Sequence, residues 1–230
     1  MKTIGILGGM SWESSLSYYQ LLNQGIKQAM GGLHSAKINL VSVDFAEIEV
    51  LQHRGDWDAL ADKMVAGALA VQASGADFLL IATNTMHKLA PQVVNALDIP
   101  LLHIADATAQ CLRKDQIRRV GLLGTRFTME QDFYAGRLRE HQLEVLVPDE
   151  HGMALVHDII YQELCQGMIS AASRAIYLQQ IEALHARGAE AIILGCTEIG
   201  LLVKQQDTAI KLYDTTALHV AAAVEFALEE

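Results

Sequence analysis

Cysteine, proline and basic residues are all scarce in this chain. It has three cysteines, three prolines and 17 Lys and Arg against 27 Asp and Glu in 230 residues. Three widely spaced cysteines make neither a disulfide framework nor a zinc knuckle. So little proline in a chain that is 51% hydrophobic excludes disorder. The basic residues form no cluster and the formal net charge is −10, which argues against nucleic acid or an anionic membrane surface as a partner. No apolar run reaches membrane-spanning length, and Met1-Lys2-Thr3-Ile4-Gly5 enters a strand-like segment without signal-peptide form. The expectation is a cytoplasmic protein whose length supplies a core that needs no staples.

Short apolar runs alternate with amphipathic stretches. Ile4–Leu7, Ile38–Val43, Phe78–Ile81, Leu101–Ile104, Val120–Leu123, Leu143–Val147, Ala191–Leu194 and Lys211–Tyr213 read as buried strands. Trp12–Met30, Trp57–Ser74, Met129–Glu140, Ala154–Cys165, Ala172–Arg187 and Thr216–Leu228 read as helices. Leu60, Met64, Ala68 and Val71 recur at helical spacing, with Gly75 as the stop. Thr128 with Gln131 has the form of a capping box opening the Met129 helix. Such alternation predicts an α/β protein with mostly parallel sheets flanked by helices.

The chain also matches itself. Ile4-Gly5-Ile6-Leu7-Gly8-Gly9 aligns with Val120-Gly121-Leu122-Leu123-Gly124-Thr125. Gly75-Ala76-Asp77-Phe78-Leu79-Leu80-Ile81 aligns with Gly188-Ala189-Glu190-Ala191-Ile192-Ile193-Leu194, and Asp106-Ala107-Thr108-Ala109 with Asp214-Thr215-Thr216-Ala217. Three matches in one order, offset by 116, 113 and 108 positions, predict two duplicated lobes. We place the first at 1–104 plus 214–230 and the second at 105–213. Ligands of such sheets sit beyond the carboxyl ends of the strands, so the expected site is a cleft between the lobes.

Aligning the halves sets Thr83-Asn84-Thr85 over Cys196-Thr197-Glu198, each just after a buried strand. One reading makes Thr85 and Thr197 helix N-caps and Cys196 a small core residue. The other makes Cys196 a reactive thiol facing a hydroxyl across a ligand. Nearby helix amides would then lower its pKa and bind a carboxylate. The run Ile4–Met10 has Gly-x-x-Gly-Gly spacing and is not a dinucleotide fingerprint. The histidines lack metal-ligand spacing, so no metal is expected. His87 and His103 fall near element ends, Cys111 and Cys165 in helical stretches. Trp12 and Trp57 read as packing anchors.

Leu7-Gly8-Gly9-Met10-Ser11, Ala82-Thr83-Asn84-Thr85-Met86-His87, Leu123-Gly124-Thr125-Arg126-Phe127-Thr128 and Leu194-Gly195-Cys196-Thr197-Glu198 together resemble the aspartate/glutamate racemase family. The resemblance spans essentially the whole chain and is strongest to its enterobacterial broad-range amino-acid racemase group. It implies two tandem α/β domains with the site between them, catalysis without a cofactor, an amino-acid substrate and a homodimer. It implies Cys196 as one acid/base group and Thr83 as its opposite number. Asn84, Thr85, Thr125, Thr128 and Thr197 match positions that hold the substrate's carboxylate and amino group. Met10 and Ser11, on the first βα turn, are expected to line the site too, and Glu198 either orients the thiol or the ammonium or is a solvated acid at a helix start.

Thr83 departs from the family pattern, which has cysteine there. A hydroxyl is a far poorer base than a thiol. By resemblance to the glutamate enzymes, Cys196 serves the L face, so slow turnover and preferential exchange of the L enantiomer are expected. Gln52 and Gln166, on a loop and a turn, stand where aspartate-specific members place a cation, with Arg54 nearby. Two neutral amides bind a second carboxylate weakly and tolerate neutral side chains. The substrate is therefore an acidic or a neutral amino acid. The rival readings are a single-cysteine malonate-type decarboxylase and an amino-acid sensor that keeps the site with weak chemistry.

Overall fold

Short strands, fully buried on both faces, form the centre of each of two parallel sheets. The computed structural model describes residues 1–229. From the N-terminus come β1 (Ile4–Gly8), α1 (Trp12–Met30), β2 (Ile38–Ser42), α2 (Phe45–Arg54), α3 (Trp57–Ala73), β3 (Phe78–Ile81), α4 (Ala90–Ala96) and α5 (Ile104–Lys114). Then follow β4 (Arg119–Gly124), α6 (Arg126–Glu130), α7 (Asp132–Glu140), β5 (Glu144–Leu146), α8 (Glu150–Gln162), α9 (Ala171–Ala186), β6 (Ala191–Gly195), α10 (Ile199–Leu202), β7 (Lys211–Asp214) and α11 (Thr215–Leu228). Two compact units result. One is Met1–Ile104 with the chain from His219 onward, the other Ala105–Leu218.

The first sheet has the order β2-β1-β3, the second β5-β4-β6-β7. All pairs are parallel, with registers running from Ile4↔Phe78 to Leu7↔Ile81 and from Val120↔Ala191 to Gly124↔Gly195. In both, the first strand of the unit lies between its second and third. The winding reverses there, which in open parallel sheets is where ligands bind, at the carboxyl ends of the strands: here β1 with β3, and β4 with β6. The two units thus share one topology, as the internal matches predict.

Each sheet is covered by helices whose apolar spacing matches its pleat. Ile4, Ile6, Phe78 and Leu80 pack with Tyr18 and Leu22 of α1 and Val220, Ala223 and Ala227 of α11. Leu7, Leu79 and Ile81, on the other face, meet Leu60, Met64, Ala68 and Val71 of α3. In the second unit Ile192 and Leu194 face Val156 and Ile159 of α8 and Tyr177, Ile181 and Leu184 of α9. Among the described residues no helix is long and apolar enough to cross a membrane.

Several elements differ from the sequence expectation. The strand expected at Leu101–Ile104 shrinks to a single bridge, Leu79↔Leu101. Pro100 has no amide to donate, and Ile104 already opens α5. Helix α2, expected as a loop, is held by Asp44, whose side chain accepts from the Ala46 amide. The expected Met129 helix is two short helices broken at Gln131, whose backbone is extended. Thr128 does not cap it: Thr125 is the N-cap and receives the Thr128 amide. Trp12 is no packing anchor, since it is 64% exposed. Trp57 is half-buried beneath the Lys88 ammonium, 3.5 Å from the ring centre. Cys165 lies in a 3-10 turn (Leu164–Gln166) and, like Cys111, is half-buried.

Candidate active site

In the first unit the turn after β1 is set by Gly9. Its φ is 88°, and a Cβ there would stand 2.2 Å from the Val43 carbonyl oxygen, so only glycine fits. The turn delivers Met10 and Ser11, both buried, to the start of α1. Ser11 caps that helix, accepting from the Ser14 amide. Ser15 Oγ accepts from the Gly9 amide at 2.7 Å and donates to the Ser11 carbonyl at 3.1 Å. Ser14 Oγ donates to the Ala82 carbonyl at 2.8 Å. The end of β1 and the end of β3 are therefore fastened together by serines that the sequence reading passed over. Their signal was a Ser-x-x-Ser-Ser run directly after Gly-Gly-Met.

Beyond β3, Thr83 is half-buried, while Asn84 and Thr85 are buried. Thr85 is not an N-cap. It is the first residue of a 3-10 turn (Thr85–Leu89) preceded by Asn84, which makes no side-chain capping bond. His87 is buried inside this turn. Its Nδ1 lies 2.8 Å from the Thr83 carbonyl oxygen, and its Nε2 accepts from the Ile104 amide at 3.3 Å. Burial holds its pKa well below the usual histidine range, and His103 and His219 add to that. Gln52 is not on a loop but buried in the last turn of α2. Arg54 is exposed.

In the second unit Thr125 and Thr128 lie just past β4, their hydroxyl oxygens 3.1 Å apart. Thr128 is fully buried against Gly124, so it closes the strand end rather than presenting a hydroxyl. Cys196 begins where β6 stops, with Thr197 and Glu198 behind it, and all three are buried. Thr197 caps no helix: the next one, α10, starts at Ile199 after Glu198. Instead the Glu198 carboxylate is turned back. Its Oε2 accepts from the Cys196 thiol at 2.9 Å and from the Thr197 hydroxyl at 2.8 Å. Gln166 is exposed and donates to the Tyr161 carbonyl at 3.3 Å.

The thiol's acidity is the reverse of the sequence expectation. Burial pushes the Cys196 pKa well above the ordinary thiol value, and the charge of Glu198 pushes it further. The Glu198 backbone amide acts in the lowering direction but is outweighed. A thiol in this setting is protonated at neutral pH and donates its hydrogen bond to the Glu198 carboxylate. Once formed, a poorly solvated thiolate is a strong base. Among the described residues no group of three or more His, Cys, Asp or Glu converges to hold a metal ion.

A family model described as Asp/Glu/hydantoin racemase matches residues 7–223. The crystal structure of a Yersinia pestis chain named for Asp/Glu racemase is similar at 51% identity and a TM-score of 0.92, with 100% of both chains covered. An aspartate racemase homologue from Pyrococcus horikoshii is similar at 32% identity and a TM-score of 0.86, again with 100% of both chains covered. The broad specificity amino-acid racemase RacX of Bacillus subtilis is 22% identical over 222 residues, which are 93% of each chain.

Proposed function

The chain belongs to the Asp/Glu/hydantoin racemase family, and on that premise we propose that it is an amino-acid racemase that moves the α-proton with its own side chains and no cofactor. The observation that carries this is the buried Cys196 thiol, hydrogen-bonded to the Glu198 carboxylate at the end of β6. Such a pair can generate a base where water is scarce, which the weakly acidic α-carbon requires.

Inversion needs one group to remove the proton and another to return it on the opposite face. Cys196 takes the L-face proton, with Glu198 accepting the thiol proton as the thiolate forms. Thr83 is the second group, and its poor acidity and basicity make turnover slow. The hydroxyls of Ser11, Thr85, Thr125 and Thr197, the Asn84 amide and the Met10 turn bind the carboxylate and ammonium. Gln52, buried and uncharged, supports acceptance of neutral as well as acidic side chains. A homodimer belongs to the same proposal and is read by light scattering.

The test is α-hydrogen exchange in deuterium oxide, followed by NMR on separate L and D amino acids, acidic and neutral. Exchange should be faster for L substrates and fall by about 10²-fold or more in Cys196→Ser, the usual contribution of a positioned acid/base. Equal, fast exchange of both enantiomers would overturn the assigned asymmetry. Silence on every substrate would overturn racemisation itself. Calorimetric binding of an amino acid would then favour a sensor, and carbon dioxide release from a substituted malonate a decarboxylase.

A further inference from the structure

Thr83 is held in an unusual way. Its two backbone dihedrals are set by the peptide planes on either side of its α-carbon, and each plane is gripped by a buried side chain. The plane before it carries the Ala82 carbonyl, which accepts from Ser14 Oγ at 2.8 Å. The plane after it carries the Thr83 carbonyl, 2.8 Å from His87 Nδ1. Ser14 comes from the first turn of α1 and His87 from the 3-10 turn beyond β3. Both are almost wholly shielded, at 1% and 2% exposure.

The partners dictate the state of the imidazole. A carbonyl oxygen only accepts, so Nδ1 must carry the hydrogen. Nε2 receives the Ile104 amide at 3.3 Å, so it must offer a lone pair. His87 is therefore neutral with a single tautomer, and both nitrogens are committed to backbone. Burial opposes the charged form, and so do the neighbouring rings of His103, with centroids 4.5 Å apart, and His219, at 5.9 Å. An apolar residue would fill this space without the cost of desolvating an imidazole. The bonds it makes give the histidine its reason to be there.

We propose that Ser14 and His87 form a clamp that positions Thr83, fixing its φ and ψ so that its hydroxyl is aimed at the reacting carbon. This rests on Thr83 serving the D face, as proposed above. A group of such weak acidity and basicity gains most from being held still, because a displacement near 1 Å costs about 10²-fold in rate. Neither Ser14 nor His87 touches substrate in this proposal. Both act through the Thr83 backbone.

The experiment measures exchange kcat and KM for the L and D forms of one substrate in wild type, Ser14→Ala, His87→Asn, His87→Leu and Thr83→Ala. Ser14→Ala and His87→Leu should each lower kcat for D exchange about tenfold. L exchange and both KM values should stay within about twofold, since a general packing defect would move both enantiomers together. His87→Asn, which keeps a donor near the Thr83 carbonyl, should recover part of the loss. Equal losses for L and D, or a loss confined to KM, overturn the clamp. D exchange surviving in Thr83→Ala overturns the assignment of Thr83 instead. D exchange lost in Thr83→Ala but intact in Ser14→Ala and His87→Leu overturns the clamp alone. Should the histidine variants fail to fold, Ser14→Ala decides together with ¹⁵N NMR of the wild-type imidazoles. A neutral ring protonated on Nδ1 that does not titrate near pH 6.5 supports the clamp, and an Nε2-protonated ring overturns it.

Discussion

The position of a single carboxylate governs the chemistry open to Cys196. Glu198 raises the thiol's pKa through its charge while offering the proton a place to go. Its removal should therefore have two opposite effects. In Glu198→Gln the thiol becomes more acidic, so the pH midpoint for alkylation of Cys196, followed by mass spectrometry of its peptide, should move down. Amino-acid α-hydrogen exchange should fall, because the proton acceptor is gone. An exchange rate that rises along with thiol reactivity would mean that Glu198 only restrains the cysteine. The sequence placed Cys196 at a strand end and left Glu198 open between orienting the thiol, orienting the ammonium and lying in solvent at a helix start. The pKa moves opposite to the direction that nearby helix amides would give. The helix that follows is one turn long, and burial outweighs it.

At the level of elements, the turns after the strands do the positioning. The Gly9 turn passes so close to the Val43 backbone that any side chain collides with it, and its φ of 88° is unfavourable for other residues. Gly9→Ala should cost about 2 kcal/mol or more, seen as a lower midpoint in urea, with loss of whatever exchange depends on Met10 and Ser11. Strands with continuous apolar runs were legible, since burial on both faces removes the need for alternation. Helix α2 was missed because Phe45, Ile48 and Leu51 are few apolar positions in a short, charged segment. Helix α5 was legible only around Cys111, because its apolar start, Ile104, reads as the end of a strand. In both cases neighbouring segments of the fold decided between local options of similar strength.

Across the molecule, one topology appears twice, and the first unit adds a buried polar cluster that makes it acid-sensitive. His219 donates from Nε2 to the Leu102 carbonyl and accepts at Nδ1 from the Tyr18 hydroxyl, both at 2.8 Å. Burial lowers its pKa from 6.5 to about 4, with His103 contributing. The unfolded chain thus takes up this proton before the folded one does. The stability it contributes is complete above pH 6.5 and is lost as pH falls towards 4, by roughly 3 kcal/mol for this one group. His87, with its pKa lowered too, adds in the same direction. Urea unfolding at pH 7 and pH 5 should show the loss, and His219→Gln should flatten the difference. An unchanged pH slope in that variant would mean that the ring titrates freely in the native protein.

The alternation of strands and helices, the duplication, and the pair of triplets after β3 and β6 follow from the chain alone. These are local properties: apolar runs, recurring short motifs, a thiol or hydroxyl directly after a buried strand. The tertiary structure decided the rest. That Gln52 is buried, that Trp12 is exposed, and that the thiol is weakly acidic depend on which surfaces meet. The fastening of Thr83 draws on Ser14, 68 positions from the Ala82 carbonyl it holds, and the tautomer of His87 on an amide 17 positions away. Burial removes water, and without water a proton's place is fixed by whichever partners the fold brings within hydrogen-bonding distance.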